Sequence, residues 1–137
     1  APRYFMGIGD PEGILEVVER GIDMFDCVLP TRTARTGSAL TAYGRLNLRN
    51  ARHARDERPL EEGCGCPACA RFSRAYVRHL VNQEELLGLR LLSLHNLWFV
   101  LSLTAGARDA ITRGELAAYK DDVLARLAGG REEEGRP

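Results

Sequence analysis

Three cysteines within six residues, Cys64-Gly65-Cys66-Pro67-Ala68-Cys69, constrain this chain more than any other feature it carries. Gly65 and Pro67 favour a tight turn that makes the three sulfurs converge. Cys64 and Cys66 lie too close together to pair easily as a disulfide, so metal binding is the better reading. Tetrahedral zinc needs a fourth ligand. Of the three histidines, His95 is the best candidate, because Leu91-Leu92-Ser93-Leu94 ahead of it reads as a helix able to present its ring to the loop. Three thiolates and one imidazole leave no open position, so the expected role is structural, with one zinc ion organising a segment of slight apolar content. The alternative is three buried or free cysteines beside a core histidine.

Upstream, the pattern is that of a parallel α/β protein. Arg3 to Ile8 reads as a short buried strand. Asp10 and Pro11 supply a helix N-cap and a first-turn proline. Ile14, Leu15, Val17 and Val18 form an apolar stripe that Gly21 ends. Met24 to Leu29 reads as a second strand stopped by Pro30. Strand, helix and strand joined by short connections imply parallel pairing. Both strands are nearly all apolar, as expected where each face of a sheet is covered. Two strands cannot cover themselves, so the sheet is expected to continue in residues outside this sequence. The first residues lack a secretory leader, and the absence of an initiator Met, with the chain opening directly into a strand-like run, points to the same expectation of a fragment.

Downstream, Ser38 to Leu48 reads as a hairpin turning at Tyr43-Gly44, and Asn50 to Gly63 as polar and irregular. Helices are predicted over Phe72–Leu87 and about Leu91–Ile111. Thr112 and Glu115 have capping-box spacing for a last helix to about Leu127. Residues from Gly129 onward have nothing to bury and are expected to be disordered. At 137 residues the chain is long enough for one domain, and no apolar run approaches the ~20 residues of a membrane span.

Nineteen basic and nineteen acidic residues give zero net charge, which argues against nonspecific nucleic-acid binding by the chain as a whole. The charge is uneven, however. Seven arginines between Thr31 and Arg58 face only Asp56 and Glu57. Such a segment suits a localised anionic partner such as RNA, or else is a solvated loop. Asp26 interrupts Met24-Phe25-Asp26-Cys27-Val28-Leu29, where an unpaired carboxylate is costly if buried. Alternation puts it on the face shared with Met24 and Val28. Polar groups near the C-terminal ends of parallel strands often line active sites. Asp26 is therefore a candidate nucleophile, general base, metal ligand or satisfied structural acid. Cys27 with Arg32 does not make a phosphatase loop, since the spacing is one residue short and the glycines are missing.

Gly21-Ile-Asp-Met-Phe-Asp-Cys-Val-Leu-Pro-Thr-Arg32, with Arg35 and Gly37, closely resembles the catalytic segment of bacterial tRNA-guanine transglycosylases. The resemblance extends through Arg3-Tyr-Phe-Met-Gly-Ile-Gly9, Arg49-Asn-Ala-Arg52, the cysteine loop, Ser73-Arg-Ala-Tyr76 and His95-Asn96. It implies an α/β fold, the C-terminal part of a (β/α)8 barrel with an inserted structural zinc-binding subdomain. The implied layout is residues 1–37 as final barrel strands, 38–97 as the zinc subdomain, 98–128 as C-terminal helices and 129–137 as a tail. It further implies exchange of the wobble guanine of GUN-anticodon tRNAs for 7-aminomethyl-7-deazaguanine through a covalent aspartyl-ribosyl intermediate. Asp26 matches the nucleophile, Met6 and Gly7 the base pocket, Arg32 and Arg35 the tRNA anticodon contacts, and Cys64, Cys66, Cys69 and His95 the zinc ligands. The helix bearing Tyr76 and His79 resembles a homodimer interface, and the setting is cytoplasmic with no membrane partner. About two-thirds of such an enzyme is not in this sequence, so these residues alone are expected to be inactive. The competing expectations are a zinc-stabilised RNA-binding module and a noncatalytic partner subunit.

Overall fold

The computed structural model of the chain describes residues 1–134, and the side chains of residues 1–130. It forms two compact units rather than the single domain that the length suggests. One comprises Ala1–Leu29, Ala42–Gly44 and the chain from Val100 onward; the other comprises Pro30–Thr41 and Arg45–Phe99. The 28-residue helix α5 (Leu86–Arg113) contributes to both.

In the first unit, β1 (Tyr4–Met6) and β2 (Met24–Asp26) pair in parallel, in the register Tyr4 to Met24, Phe5 to Phe25 and Met6 to Asp26. Between them runs α1 (Pro11–Glu19), capped by Asp10, whose carboxylate accepts from the Gly13 N–H at 2.8 Å. At the far end Gly21 N–H bonds Val18 C=O and Ile22 N–H bonds Val17 C=O, which closes the helix in a Schellman motif. Ile14 and Leu15 of α1 pack with Leu103, Ala107, Val123 and Leu127 of α5 and α6 (Leu116–Glu134).

The strands are shorter and more open than expected. Met6 is 76% exposed and Tyr4 56%, because among the described residues the sheet has only these two strands and nothing covers either face fully. The second strand ends at Asp26, and Leu29 and Pro30 open a helix, α2 (Leu29–Arg35), that the sequence reading missed. In the sequence Pro30 fits a strand stop. Proline is equally at home in the first turn of a helix, where its missing N–H has no partner to lose.

Apart from Leu29 and the turn residues Ala42–Gly44, the second unit holds α2, the hairpin β3 (Ser38–Thr41) and β4 (Gly44–Asn47), and a short 3-10 turn at Ala51–His53. Helices α3 (Pro67–Arg71) and α4 (Arg74–Asn82) and the first half of α5 complete it. Its core gathers Ala34, Leu46, Leu48, Leu60, Cys66, Val77, Val81, Leu91 and Leu92. The hairpin turns on Ala42 and Tyr43, one residue before the expected position. The predicted Phe72–Leu87 helix is instead α4 alone, starting at the Ser73 N-cap and ending at Gln83. The chain then reverses into α5 at a place where Gly88 lies against Leu80, and a Cβ there would meet Leu80 Cβ at 2.9 Å.

Two expectations near the C-terminus fail. Thr112 caps nothing: it lies inside α5 and its hydroxyl donates to Arg108 C=O at 3.1 Å. The break falls at Gly114, with φ of +71°, where Gly114 N–H bonds Ile111 C=O and Glu115 N–H bonds Ala110 C=O. The tail expected to be disordered from Gly129 continues α6 to Glu134, and residues 135–137 lie outside the described residues.

Helix α5 has the length and hydropathy of a membrane-crossing helix, although the sequence reading found no such run. Arg90, His95 and Asn96 interrupt its apolar residues without lowering the mean hydropathy enough to exclude such a helix. Leu91, Leu92, His95, Asn96, Leu103, Ala107 and Ala110 of this helix are buried, and it serves as a core helix.

The polar loop before the cysteines is held by Asp56. Its carboxylate accepts from Arg58 Nε and Nη2, each at 2.9 Å, from Arg74 Nη1 at 3.2 Å, and lies 3.4 Å from His53 Nδ1. Arg74 also donates to the carbonyls of Pro59 and Leu60 at 2.8 and 3.1 Å, tying the loop to α4. The Arg58 guanidinium, above all, holds the Asp56 carboxyl well below the usual carboxylate range. A carboxyl depressed on folding stabilises at pH values above its unfolded pKa, and that contribution fades as pH falls through the folded one. The stability of the chain is therefore expected to decline as pH drops below about 4, the unfolded aspartate range. In Asp56→Asn the neutral-pH stability is lower and part of this acid slope is gone. Denaturant melts of both chains across that range check it.

A candidate metal centre and an acidic strand end

The thiol loop closes because Cys66 caps α3, its sulfur accepting from the Cys69 N–H at 3.3 Å. Cys64 lies just ahead on the turn, and α5 brings in His95 from the far side of the core. The four ligand atoms lie within 4.8 Å of one another. His95 Nδ1 stands 3.7 Å from Cys64 Sγ, 3.5 Å from Cys66 Sγ and 3.4 Å from Cys69 Sγ. Its other nitrogen, Nε2, lies 2.8 Å from Leu40 C=O. Donation of an Nε2–H to that carbonyl leaves the Nδ1 lone pair directed at the sulfurs, the orientation a metal-ligating histidine takes.

This group can hold one metal ion, and its chemistry matches zinc better than any hard cation. His95 is wholly buried, and burial lowers its pKa, which keeps the ring neutral and able to ligate. Burial likewise pushes the Cys64 and Cys69 thiols up. A divalent cation reverses that by stabilising thiolates. The sequence reading named all four residues. Asn96, the next residue on α5, figures in the sequence only as part of the resemblance and with no role; its buried amide accepts from Leu40 N–H at 2.8 Å and donates to Pro30 and Ser38 C=O at 2.9 and 3.1 Å. An open groove of about 660 Å³ runs beside the loop, lined in part by Cys69, Arg71, Phe72 and Tyr76. Phe72 and Tyr76, both lining it, stack on each other with ring centroids 5.3 Å apart, and His79 is exposed further along α4.

In the first unit, Asp26 occupies the last position of β2, exposed, with its carboxylate accepting a hydrogen bond from the Tyr4 hydroxyl. That bond raises the Tyr4 pKa, so the phenol remains a donor at neutral pH. Met6 is Asp26's partner in register, and Gly7 N–H donates to Asp26 C=O at 3.0 Å. Asp26, Met6 and Gly7 thus form one cluster, with Tyr4 added. Tyr4 was legible in principle: two residues before Met6, it shares its face, as Met24 shares that of Asp26.

Arg32 and Arg35 lie on α2 in the second unit, exposed, and neither is paired among the described residues. That unit carries eleven arginines against six acids, so the basic excess seen in the sequence becomes a property of one body.

Comparison with known proteins adds an independent line. The model of the queuine tRNA-ribosyltransferase family matches residues 1–129. The chain is 52% identical over 128 residues to the queuine tRNA-ribosyltransferase of Pelotomaculum thermopropionicum, covering 93% of this chain and 35% of that protein. It is 56% identical over 121 residues to the one from Novosphingobium aromaticivorans, covering 88% of the chain and 32% of the relative. The match to the Symbiobacterium thermophilum protein is 52% over 132 residues, 96% of the chain and 33% of the relative. The chain therefore spans about a third of the length of the curated relatives it matches.

Proposed function

The chain belongs to the queuine tRNA-ribosyltransferase family, and from that membership we propose that it supplies the nucleophile strand and the metal-binding lobe of a tRNA-guanine transglycosylase. The observation that carries this is Asp26: an exposed carboxylate at the C-terminal end of a parallel strand, oriented by Tyr4.

In this proposal β1 and β2 are the final strands of a (β/α)8 barrel, within residues 1–37. Residues 38–97 are the zinc subdomain and 98–128 the closing helices. The Asp26 carboxylate attacks the ribose C1′ at the wobble position. The C1′–N9 bond breaks, guanine leaves with the electron pair and takes up a proton, and an aspartyl-ribosyl ester joins enzyme to tRNA. The incoming 7-aminomethyl-7-deazaguanine loses its ring N–H proton, attacks C1′ and frees Asp26. One difficult substitution becomes two easier ones.

Met6 and Gly7 line the base site, while Arg32 and Arg35 contact the anticodon loop of GUN tRNAs. Cys64, Cys66, Cys69 and His95 hold one zinc ion that cross-links the lobe and takes no part in bond making. The Phe72 and Tyr76 groove, with His79, is the homodimer contact. A cytoplasmic setting agrees with free thiols and a tRNA partner.

In a polypeptide of the relatives' length carrying these residues, labelled guanine should exchange into the wobble position of tRNA. No exchange in that polypeptide would sink the proposal. The purified 137 residues alone should show none, and turnover by them would overturn the assignment of base recognition to other parts of the enzyme. Tyr4→Phe in the longer polypeptide should slow exchange about tenfold, the cost of one charge-assisted hydrogen bond to the nucleophile. The KM for tRNA should stay near wild type. Single-turnover rates on the two proteins measure the difference.

A further inference from the structure

The buried amide of Asn96 does more than fill space between helices. It is wholly buried on α5, and all its partners lie 56 to 66 residues away in sequence. Oδ1 takes the Leu40 N–H, while the two Nδ2 protons go to the carbonyls of Pro30 and Ser38. Next to it, His95 bonds Leu40 C=O, so two consecutive residues of one helix satisfy both backbone groups of Leu40. Their other commitments diverge: His95 faces the three thiols, and Asn96 faces the first turn of α2.

Helix α2 needs such an anchor. With seven residues it is far below the length at which a helix persists unaided. Its inner face is Pro30, Thr33 and Ala34, and its outer face carries Arg32 and Arg35 at a spacing of three. Thr36 and Gly37 turn the far end back by bonding Thr33 and Ala34 C=O. The Pro30 carbonyl at the near end is held by Asn96.

We infer that Asn96 is a positioning residue that fixes the first turn of α2 and so holds Arg32 and Arg35 in place for RNA phosphates, whereas its neighbour His95 serves the metal. The inference rests on the proposed tRNA role of those two arginines. Its chemical basis is local: an asparagine amide is the smallest side chain that can accept one backbone N–H and donate twice at once.

The test uses the 137-residue chain loaded with zinc. Asn96→Asp keeps the size and the acceptor for Leu40 but removes both donors, leaving the Pro30 and Ser38 carbonyls facing an oxygen. Three quantities are read: zinc content, amide exchange across residues 33–37, and affinity for an anticodon stem-loop RNA over a salt series. The expected result is one zinc retained, faster exchange in α2, and RNA binding weakened about tenfold with the log–log salt slope reduced by about one. His95→Ala, by contrast, loses the zinc. Unchanged RNA affinity and salt slope in a zinc-replete Asn96→Asp chain would overturn the inference. So would loss of zinc together with RNA binding, which would make Asn96 part of the metal scaffold only.

Should Asn96→Asp not fold, Gly37→Ala probes the other end of α2, because its φ is +84° and a Cβ there would meet Val81 Cγ1 at 2.9 Å. It must weaken RNA binding with zinc kept; full affinity there overturns the inference as well. The paired change Arg32→Ala and Arg35→Ala separates the two levels. RNA binding unaffected by it defeats the tRNA role of α2 and this inference together. Binding lowered by it but not by Asn96→Asp defeats only the inference.

Discussion

Cys66→Ser is expected to take bound metal, zinc on the proposed reading, from one equivalent per chain to none and to unfold the thiol-bearing unit at room temperature. Cys66 is both a ligand candidate and a wholly buried member of that unit's core, and its sulfur also caps α3. Closed zinc sites contribute about 10–16 kcal/mol of apparent binding energy, against a net stability of about 5–15 kcal/mol for a typical domain. The metal contribution is therefore as large as the whole margin. Elemental analysis with chelator-dependent thermal melts reads the outcome, and Cys27→Ser is the control, since Cys27 lies outside the four-residue group. A Cys66→Ser chain that keeps one zinc and its melting temperature would mean these sulfurs are core thiols only.

The second large effect belongs to Asp26. On the proposed function, Asp26→Asn in a polypeptide of the relatives' length is expected to leave no covalent RNA adduct on a denaturing gel and to lower guanine exchange by on the order of a thousandfold or more, the scale of loss when a nucleophile is removed. The amide preserves an acceptor for the Tyr4 hydroxyl, so the strand end keeps its geometry. It cannot form a stable ester with C1′. tRNA affinity should change only a few-fold, because the substitution touches the reacting bond and not the basic helix. Exchange persisting at a tenth of the wild-type rate would move the nucleophile to another residue.

The sequence disclosed the parts of this protein whose signals are local. Asp10 and Pro11 announce α1, Gly21 ends it, and the cysteine spacing announces the loop, because each depends on a few neighbouring residues. Choosing His95 over His53 and His79 needed only the helix before it and the ligand count. Misreadings arose where one residue serves two structures. Pro30 can stop a strand or start a helix, and Thr112 can open a capping box with Glu115 or lie inside the preceding helix ahead of a better break at Gly114. The role of Asn96, as distinct from its place in the resemblance, was beyond reach for a different reason: it lies in carbonyls far off in sequence, and no pattern of residue types marks which backbone groups a helix will find.

The two-stranded sheet has a practical consequence. Among the described residues each of its strands has an unpaired side, and Tyr4, Phe5, Met6 and Met24 are at least 45% exposed. Unsaturated β edges flanked by bare aromatic and thioether groups recruit other chains. Preparations of these 137 residues should therefore turn cloudy with rising concentration and warmth while the thiol-bearing unit stays intact. Light scattering that stays flat on concentration would show that those edges are quiet.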